Sequence, residues 1–357
     1  MESMTDAPIK ITKTTASKLE QVDFSNLTFG KNFTDHMFVC DYKNGEWQTP
    51  EIVPYGPITM EPSAKVFHYG QAVFEGMKAF KDDNDDVFLF RPKDNLDRIN
   101  KSAKRMAIPA FPESYFMEGL QALLNLDRNW IKAGAGNSLY IRPFVIATES
   151  GVSASPSSSY RFMIICAPAN AYYKGEVKVL FAEKYSRSAD GGVGYAKAAG
   201  NYGAQFFPTS LAQAEGFQQI IWTDAKTHEY LEEAGTMNIF FRVNDTLLTA
   251  PISDRILDGI TRKSLIQIAE DKGIDVQVRP VSVKEIVEAA KNGSLKEIFG
   301  AGTAATINPI SGFGHKGETF ELPKLESSYA SNFKKELMAI QYNTKDDPYG
   351  WRHKVLS

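Results

Sequence analysis

The chain has little of what metal and disulfide chemistry needs. Its 357 residues include two cysteines, Cys40 and Cys166, and five histidines. The cysteines share no metal or redox spacing, which excludes a disulfide framework and fits a reducing compartment. His36, His68, His228, His315 and His353 are scattered, so no His-rich metal site is expected. Neither sign of charge is in excess. The net charge of −3 gives no reason to expect nucleic acid or an anionic membrane as partner. No apolar run approaches the length of a membrane span. The opening MESMTDAPIK is neither signal-like nor an Arg-rich transit segment, and a cytoplasmic protein is the expectation. Internal repeats and low-complexity segments are absent.

What is present is globular material: 43% hydrophobic and 12% aromatic residues. The length points to two domains. The residues before position 30 are polar and read as extended. DVFLFRP carries a short strand, Val87 to Phe90, and Leu96, Ile99 and Ala103 follow at helical spacing. Ser114 is a candidate cap for a helix bearing Met117, Leu120, Leu124 and Trp130. SLYIRPFVIATE and RFMIICAP read as strands joined by a Ser-rich loop. The first half is therefore α+β with an antiparallel sheet. ANAYYKGE is the candidate connection, giving an N-terminal domain over 1–168, a link over 169–176 and a C-terminal domain over 177–357. In the second half VKVLFA alternates, and MNIFFRVNDTLLTA reads as a hairpin turning at Asn244-Asp245. TRKSLIQIAEDKG is a helix stopped by Gly273. Ser282 with Glu285 forms a capping-box pattern.

One stretch stands out chemically. GYAKAAGNYGAQF surrounds a single lysine, Lys197, with small residues. A lysine amine becomes a nucleophile when its ammonium is destabilised, and its commonest covalent use is a Schiff base with a carbonyl, above all that of pyridoxal 5′-phosphate. That cofactor also asks for an acid at the pyridine nitrogen, phosphate donors, and a donor near the ring oxygen. LEEAGTMNIF offers acids. Glu233 is preferred to Glu232 because Gly235 and Thr236 follow it and leave room for a ring, although on pattern alone both read equally as solvated turn residues. LDGITRKSLIQ runs a turn into a helix, so the Ile260 and Thr261 amides are candidate anion donors, with Thr261 as a plain N-cap the alternative. FGAGTAATINP is a second Gly/Thr turn, cresting at Thr303 and Ala304. Arg98 is a candidate phosphate donor or a solvated helix residue. Tyr69 lies in an aromatic–glycine stretch that suits a pocket wall or a core strand.

These stretches together resemble the branched-chain amino acid aminotransferases, class IV pyridoxal-phosphate enzymes of fold type IV. The matching segments are FGKNFTDHM (29–37), HYGQAVFEGMKAF (68–80), LFRPKDNLDR (89–98), SLYIRP (138–143), YAKAAGNYG (195–203), EEAGTMNIF (232–240), LDGITR (257–262) and FGAGTAATINP (299–309). The resemblance implies a two-domain α+β and α/β fold, a smaller N-terminal domain and a larger cofactor-binding C-terminal one. It implies that Lys197 carries the cofactor and moves protons, that Glu233 faces the pyridine nitrogen, and that Tyr202 bonds the ring oxygen. Arg98, Ile260, Thr261 and Thr303 would hold the phosphate, with Arg187 on the phosphate side. Tyr69 and the Thr303–Ala304 amides would bind the substrate carboxylate. Phe29, Phe74, Tyr140, Tyr172 and Thr236 would line the side-chain pocket, and Arg142 would help admit the acidic partner substrate. The implied substrates are leucine, isoleucine and valine with 2-oxoglutarate and glutamate, in a homodimer. D-amino acid transaminases and aminodeoxychorismate lyases share the fold, but the aromatic set argues against them. A non-enzymatic descendant would be expected to lose Lys197 or Glu233. There is one departure. Mammalian members carry a Cys-x-x-Cys pair after the Gly-Thr-Ala turn, where this chain has Ala305 and Asn308.

Overall fold

The computed structural model describes residues 9–170, 177–304 and 306–356. The chain forms two compact units, Met1–Asn170 with Gln341–Ser357, and Ala171–Ile340. The last residues therefore belong with the first unit, not with the C-terminal domain where the sequence placed them. The reason is one long-range pairing: the strand Arg352–Val355 adds antiparallel to Val87–Phe90. The first unit is accordingly comparable to the second in length rather than smaller. Most of the candidate link, 171–176, lies outside the described residues.

The first unit is a ten-stranded sheet. Eight strands run in the order Lys10–Ile11, Glu51–Pro54, His36–Lys43, Tyr160–Ala169, Ser138–Ala147, Met77–Lys81, Val87–Phe90 and Arg352–Val355, while Glu46–Trp47 pairs with His36–Lys43 and Ala72–Phe74 with Ser138–Ala147. Every pairing is antiparallel except that of Lys10–Ile11 with Glu51–Pro54. The two longest strands, Ser138–Ala147 and Tyr160–Ala169, pair along their whole length. Helices Pro92–Arg105 and Glu113–Leu126 bring Leu96, Ile99, Phe116, Leu120 and Leu124 into one core with Phe38, Phe162 and Ile164. The second helix begins two residues earlier than a Ser114 cap would set it, so Ser114 lies inside its first turn. Pro112 is its N-cap, and no side chain caps it.

The second unit closes on itself. Strands Asn238–Val243, Leu295–Gly302, Thr306–His315, Val177–Phe181, Gln219–Thr223 and Tyr230–Ala234 follow one another in the sheet, and the last pairs back to the first through Glu233 and Asn238. A ring of this kind leaves no free edge among its members. Val177–Phe181 alternates buried and half-buried positions, as its sequence pattern requires. Phe181 stacks on Phe313 inside, at 4.4 Å between ring centroids. The hairpin turns at Asn244, φ 52°, as read from the sequence. Gly273 takes the left-handed conformation just past the helix Ile260–Asp271. Ser282 caps the helix Val283–Lys291 by accepting from the Glu285 amide. The Glu285 carboxylate pairs with Arg279, so its side chain goes to an ion pair rather than to the cap. Among the described residues no helix is long and apolar enough to cross a membrane, and no group of three or more His, Cys, Asp or Glu is placed to hold a metal ion.

Candidate active site

In the second unit Lys197 sits half-buried on an irregular segment, between the buried Ala196 and Ala198. Its Nζ donates to the Tyr202 Oη at 2.7 Å. Tyr202 lies on the single-turn helix Gly200–Gly203, so the five-residue spacing is what brings phenol and amine together. Asn201 anchors the segment by donating to the Val193 and Ala196 carbonyls, 2.9 Å each. The small residues serve two ends. A side chain on Gly194 would stand 2.6 Å from the Arg255 carbonyl, so that glycine permits close packing of two chain segments. Gly200 and Gly203 face open space.

Glu232 and Glu233 are not solvated turn residues. Both lie on the strand Tyr230–Ala234 and are buried, on opposite faces as strand geometry demands. Glu233 sits at the seam where the ring closes. Its carboxylate accepts from the Leu257 amide at 3.1 Å, from the Asn238 side-chain amide at 3.1 Å, and from Arg187. Arg187, expected on the phosphate side, stands instead against this acid. A guanidinium as buried as this needs a counter-charge, and Glu233 supplies it from 46 positions along the chain. Glu232 pairs with Arg255. Among the described residues its second oxygen is buried without a hydrogen-bond partner, and burial pushes its carboxyl up to about 7 despite the Arg255 ion pair.

The helix Ile260–Asp271 starts directly after Gly259, its N-cap, so Ile260 and Thr261 are its first two residues. The first intrahelical bond runs from the Lys263 amide to the Gly259 carbonyl, 2.9 Å. The preceding amides sit at the positive end of the helix, where an anion is held. Gly259 has to be glycine, because a Cβ there would lie 1.8 Å from the Asn238 Oδ1. Asn238 thus joins the acid to the helix start. Sequence reasoning missed it, and its only signal was an amide side chain inside an apolar strand. Thr236 is exposed on the turn between strands, and Gly302 packs against its carbonyl, which brings the Thr303–Ala304 turn beside it.

In the first unit Phe29, Phe74, Tyr140 and Arg142 form one cluster. Phe29 meets Tyr140 edge-on at 4.9 Å, Arg142 donates to the Tyr140 Oη at 2.8 Å, and its guanidinium lies 4.6 Å from the Phe74 ring centre. The Arg142 Nε is buried with no partner among the described residues. Tyr69 stands apart from them. It ends the short helix Lys65–Tyr69, is partly exposed, and donates to the Val152 carbonyl. Arg98 is buried on the helix Pro92–Arg105 and gripped by Glu75, which sequence reading passed over. Tyr172 lies outside the described residues.

This donor set fits pyridoxal 5′-phosphate. An amine is paired with a phenol, a buried carboxylate is held in fixed orientation, and a helix start and a Gly/Thr turn offer amides for an anion. The family model for amino-transferase class IV matches residues 72–313. Branched-chain-amino-acid aminotransferase 2 of Bacillus subtilis is 40% identical over 99% of each chain. The crystal structure of the Escherichia coli branched-chain amino acid aminotransferase superposes with a TM-score of 0.73 at 24% identity, covering 90% of this chain and 99% of that one. The Thermobaculum terrenum enzyme in its PLP form gives 0.73 at 18% identity, over 90% and 98%. Fold and full-length likeness agree with the lysine, phenol and acid found here: the chain belongs to the class IV aminotransferases, and within them to the branched-chain-amino-acid aminotransferases.

Proposed function

We propose that this protein moves the amino group of leucine, isoleucine or valine to 2-oxoglutarate, using pyridoxal 5′-phosphate. The observation that carries the reading is the Lys197 Nζ at 2.7 Å from the Tyr202 Oη, in the same unit as a buried Glu233 with three fixed donors. The cofactor supplies an electron sink for the pair released when a Cα–H bond breaks. The residues do the rest. Lys197 takes the proton at Nζ and returns it, and Tyr202 orients that nitrogen. Glu233 would keep the ring nitrogen protonated, and Arg187, Asn238 and the Leu257 amide fix the plane of its carboxylate. The Ile260 and Thr261 amides and the Thr303 turn would hold the anionic group. In the first unit Phe29, Phe74 and Tyr140 would give the side chain an apolar wall, and Arg142 beside them would accommodate the second carboxylate of glutamate.

The same reading makes the protein a cytoplasmic homodimer. The buried, unpaired Cys40 and Cys166 suit a reducing compartment. Phe206, Phe207 and Leu211 are 72%, 61% and 42% exposed within one short helix, a concentration of apolar surface suited to a partner. Sedimentation should give twice the chain mass, and a monomer at working concentration would refute the assignment. For the activity, purified protein should show a violet absorbance band that leucine bleaches. Lys197→Ala should lose both band and turnover while keeping its circular dichroism. Turnover of leucine by Lys197→Ala at near the wild-type rate would overturn the reading.

A further inference from the structure

We propose that Arg255 is a positioning residue for the acid at the ring nitrogen: its side chain, seated on Glu232, holds the turn whose backbone orients Glu233. The assignment rests on the function proposed above, and every residue in it belongs to the second unit. Residues 253–257 lie in no helix or strand, and an isolated bridge between Ser253 and Ile256 closes their turn. This turn nevertheless gives four backbone groups to the candidate site. The Leu257 amide donates to the Glu233 Oε1 at 3.1 Å. The Leu257 carbonyl accepts from the Asn238 Nδ2 at 2.9 Å, the same nitrogen that donates to the Glu233 Oε2. The Arg255 carbonyl accepts from the Arg187 Nη2 at 3.0 Å, the nitrogen that pairs with the Glu233 Oε1. The Asp254 carbonyl accepts at 3.0 Å from the amide of Tyr195, two residues before Lys197.

A turn without a helix or sheet ladder of its own has to be fixed from outside. The Arg255 side chain does this. Its Nε donates to the Glu232 Oε1 and its Nη1 to the Asp190 Oδ1. Asp190 is largely exposed, so its ion pair adds little. Glu232 is 3% exposed, and among the described residues its other oxygen has no hydrogen-bond partner, so its side chain is committed to Arg255. Glu232 and Glu233 are neighbours on one strand and face opposite ways. The turn therefore meets both, Glu233 through its backbone and Glu232 through its one guanidinium. Since the strand fixes the two carboxylates relative to each other, seating Arg255 on the first places the Leu257 amide and the Arg255 carbonyl relative to the second.

A merely structural ion pair and a positioning one differ in what they do to the ring nitrogen. The test measures binding of pyridoxal phosphate and of its 1-deaza analogue to the cofactor-stripped full chain. In the analogue a C–H replaces the ring nitrogen, so Glu233 has nothing there to pair with. The proteins are wild type, Arg255→Met, Glu232→Gln, Glu233→Gln and Arg255→Met with Glu233→Gln. Misalignment of one charge-assisted bond should weaken pyridoxal phosphate roughly 10-fold in Arg255→Met. Binding of the analogue should be nearly unchanged, and Arg255→Met should add no selectivity in the Glu233→Gln background. Glu232→Gln keeps an oxygen for the Arg255 Nε and should bind both ligands nearly as wild type does. An unchanged affinity of Arg255→Met for pyridoxal phosphate, or an equal loss for both ligands, overturns the proposal. So does a selective loss in Glu232→Gln as large as that in Arg255→Met. If circular dichroism shows Arg255→Met unfolded, Arg255→Lys keeps the charge against Glu232 but not the planar fork. It should show the same selective loss at smaller size, and no selective loss would overturn the proposal equally. A wild-type chain that binds no pyridoxal phosphate would overturn the proposed function itself, whatever Arg255 does.

Discussion

Replacing each of the two adjacent acids by glutamine should give very unequal enzymes. The Glu233 carboxylate receives three donors: Arg187, the Leu257 amide and the Asn238 side chain. A glutamine keeps the shape but turns one acceptor into a donor facing donors. It also removes the negative charge that would keep the ring nitrogen protonated, and with it much of the ring's power to take up electrons, a loss of about 2–4 kcal/mol, or roughly 30- to 1000-fold in rate. Among the described residues Arg187 would keep only the Gly194 and Arg255 carbonyls, at 2.8 and 3.0 Å. An uncompensated buried cation costs a further ~3–5 kcal/mol of stability. Glu233→Gln should therefore melt earlier as well as react slowly. Glu232→Gln should do neither to that degree. Its carboxyl is already pushed up to about 7 by burial, so near neutrality a neutral amide resembles it, and Arg255 keeps Asp190. The assay is the single-turnover leucine half-reaction of both variants at saturating cofactor, followed by loss of the violet band, with a denaturation curve for each. A severe defect in Glu232→Gln beside a nearly normal Glu233→Gln would show that the acid has been misassigned.

Three further outcomes follow from particular contacts. Glu232 titrates near 4.5 when unfolded and near 7 when folded, so between those values the native state holds a proton that the unfolded chain has lost. Stability should fall as pH rises through that window, by at most about 3 kcal/mol from this group, and the fall should be shallower in Glu232→Gln; identical slopes by chemical denaturation would refute it. Gly76→Ala places a methyl 2.3 Å from the Tyr140 Oη, and the resulting overpacking should cost roughly 1–3 kcal/mol, read as a lower denaturation midpoint; an unchanged midpoint would refute it. Mild peroxide should not switch activity reversibly, because Ala305 and Asn308 occupy the positions of the thiol pair, and burial pushes Cys40 up to about 12 and Cys166 well above its usual value. A thiol-reversible loss of activity would contradict this.

The sequence by itself determined what short-range chemistry controls. The turn at Asn244, the stop at Gly273 and the cap at Ser282 each depend on a residue's own backbone preference or on a partner three positions away. The pairing of Lys197 with Tyr202 belongs with these, since five residues across a single helical turn bring amine and phenol together. Lys197 and Glu233 were singled out as candidates by the same kind of local signal, since small residues stand beside each. Tertiary structure alone decided what depends on residues far apart in the chain. It set Arg187 against Glu233, 46 positions away, and Glu75 against Arg98, 23 away. It carried the strand Arg352–Val355 back to Val87–Phe90, and with it the tail into the first unit. It buried both Glu232 and Glu233, which no local pattern distinguishes from a solvated turn. A buried charge finds its counter-ion by where the sheets place it, and that placement is set by the closure of the strand ring and the packing of the core.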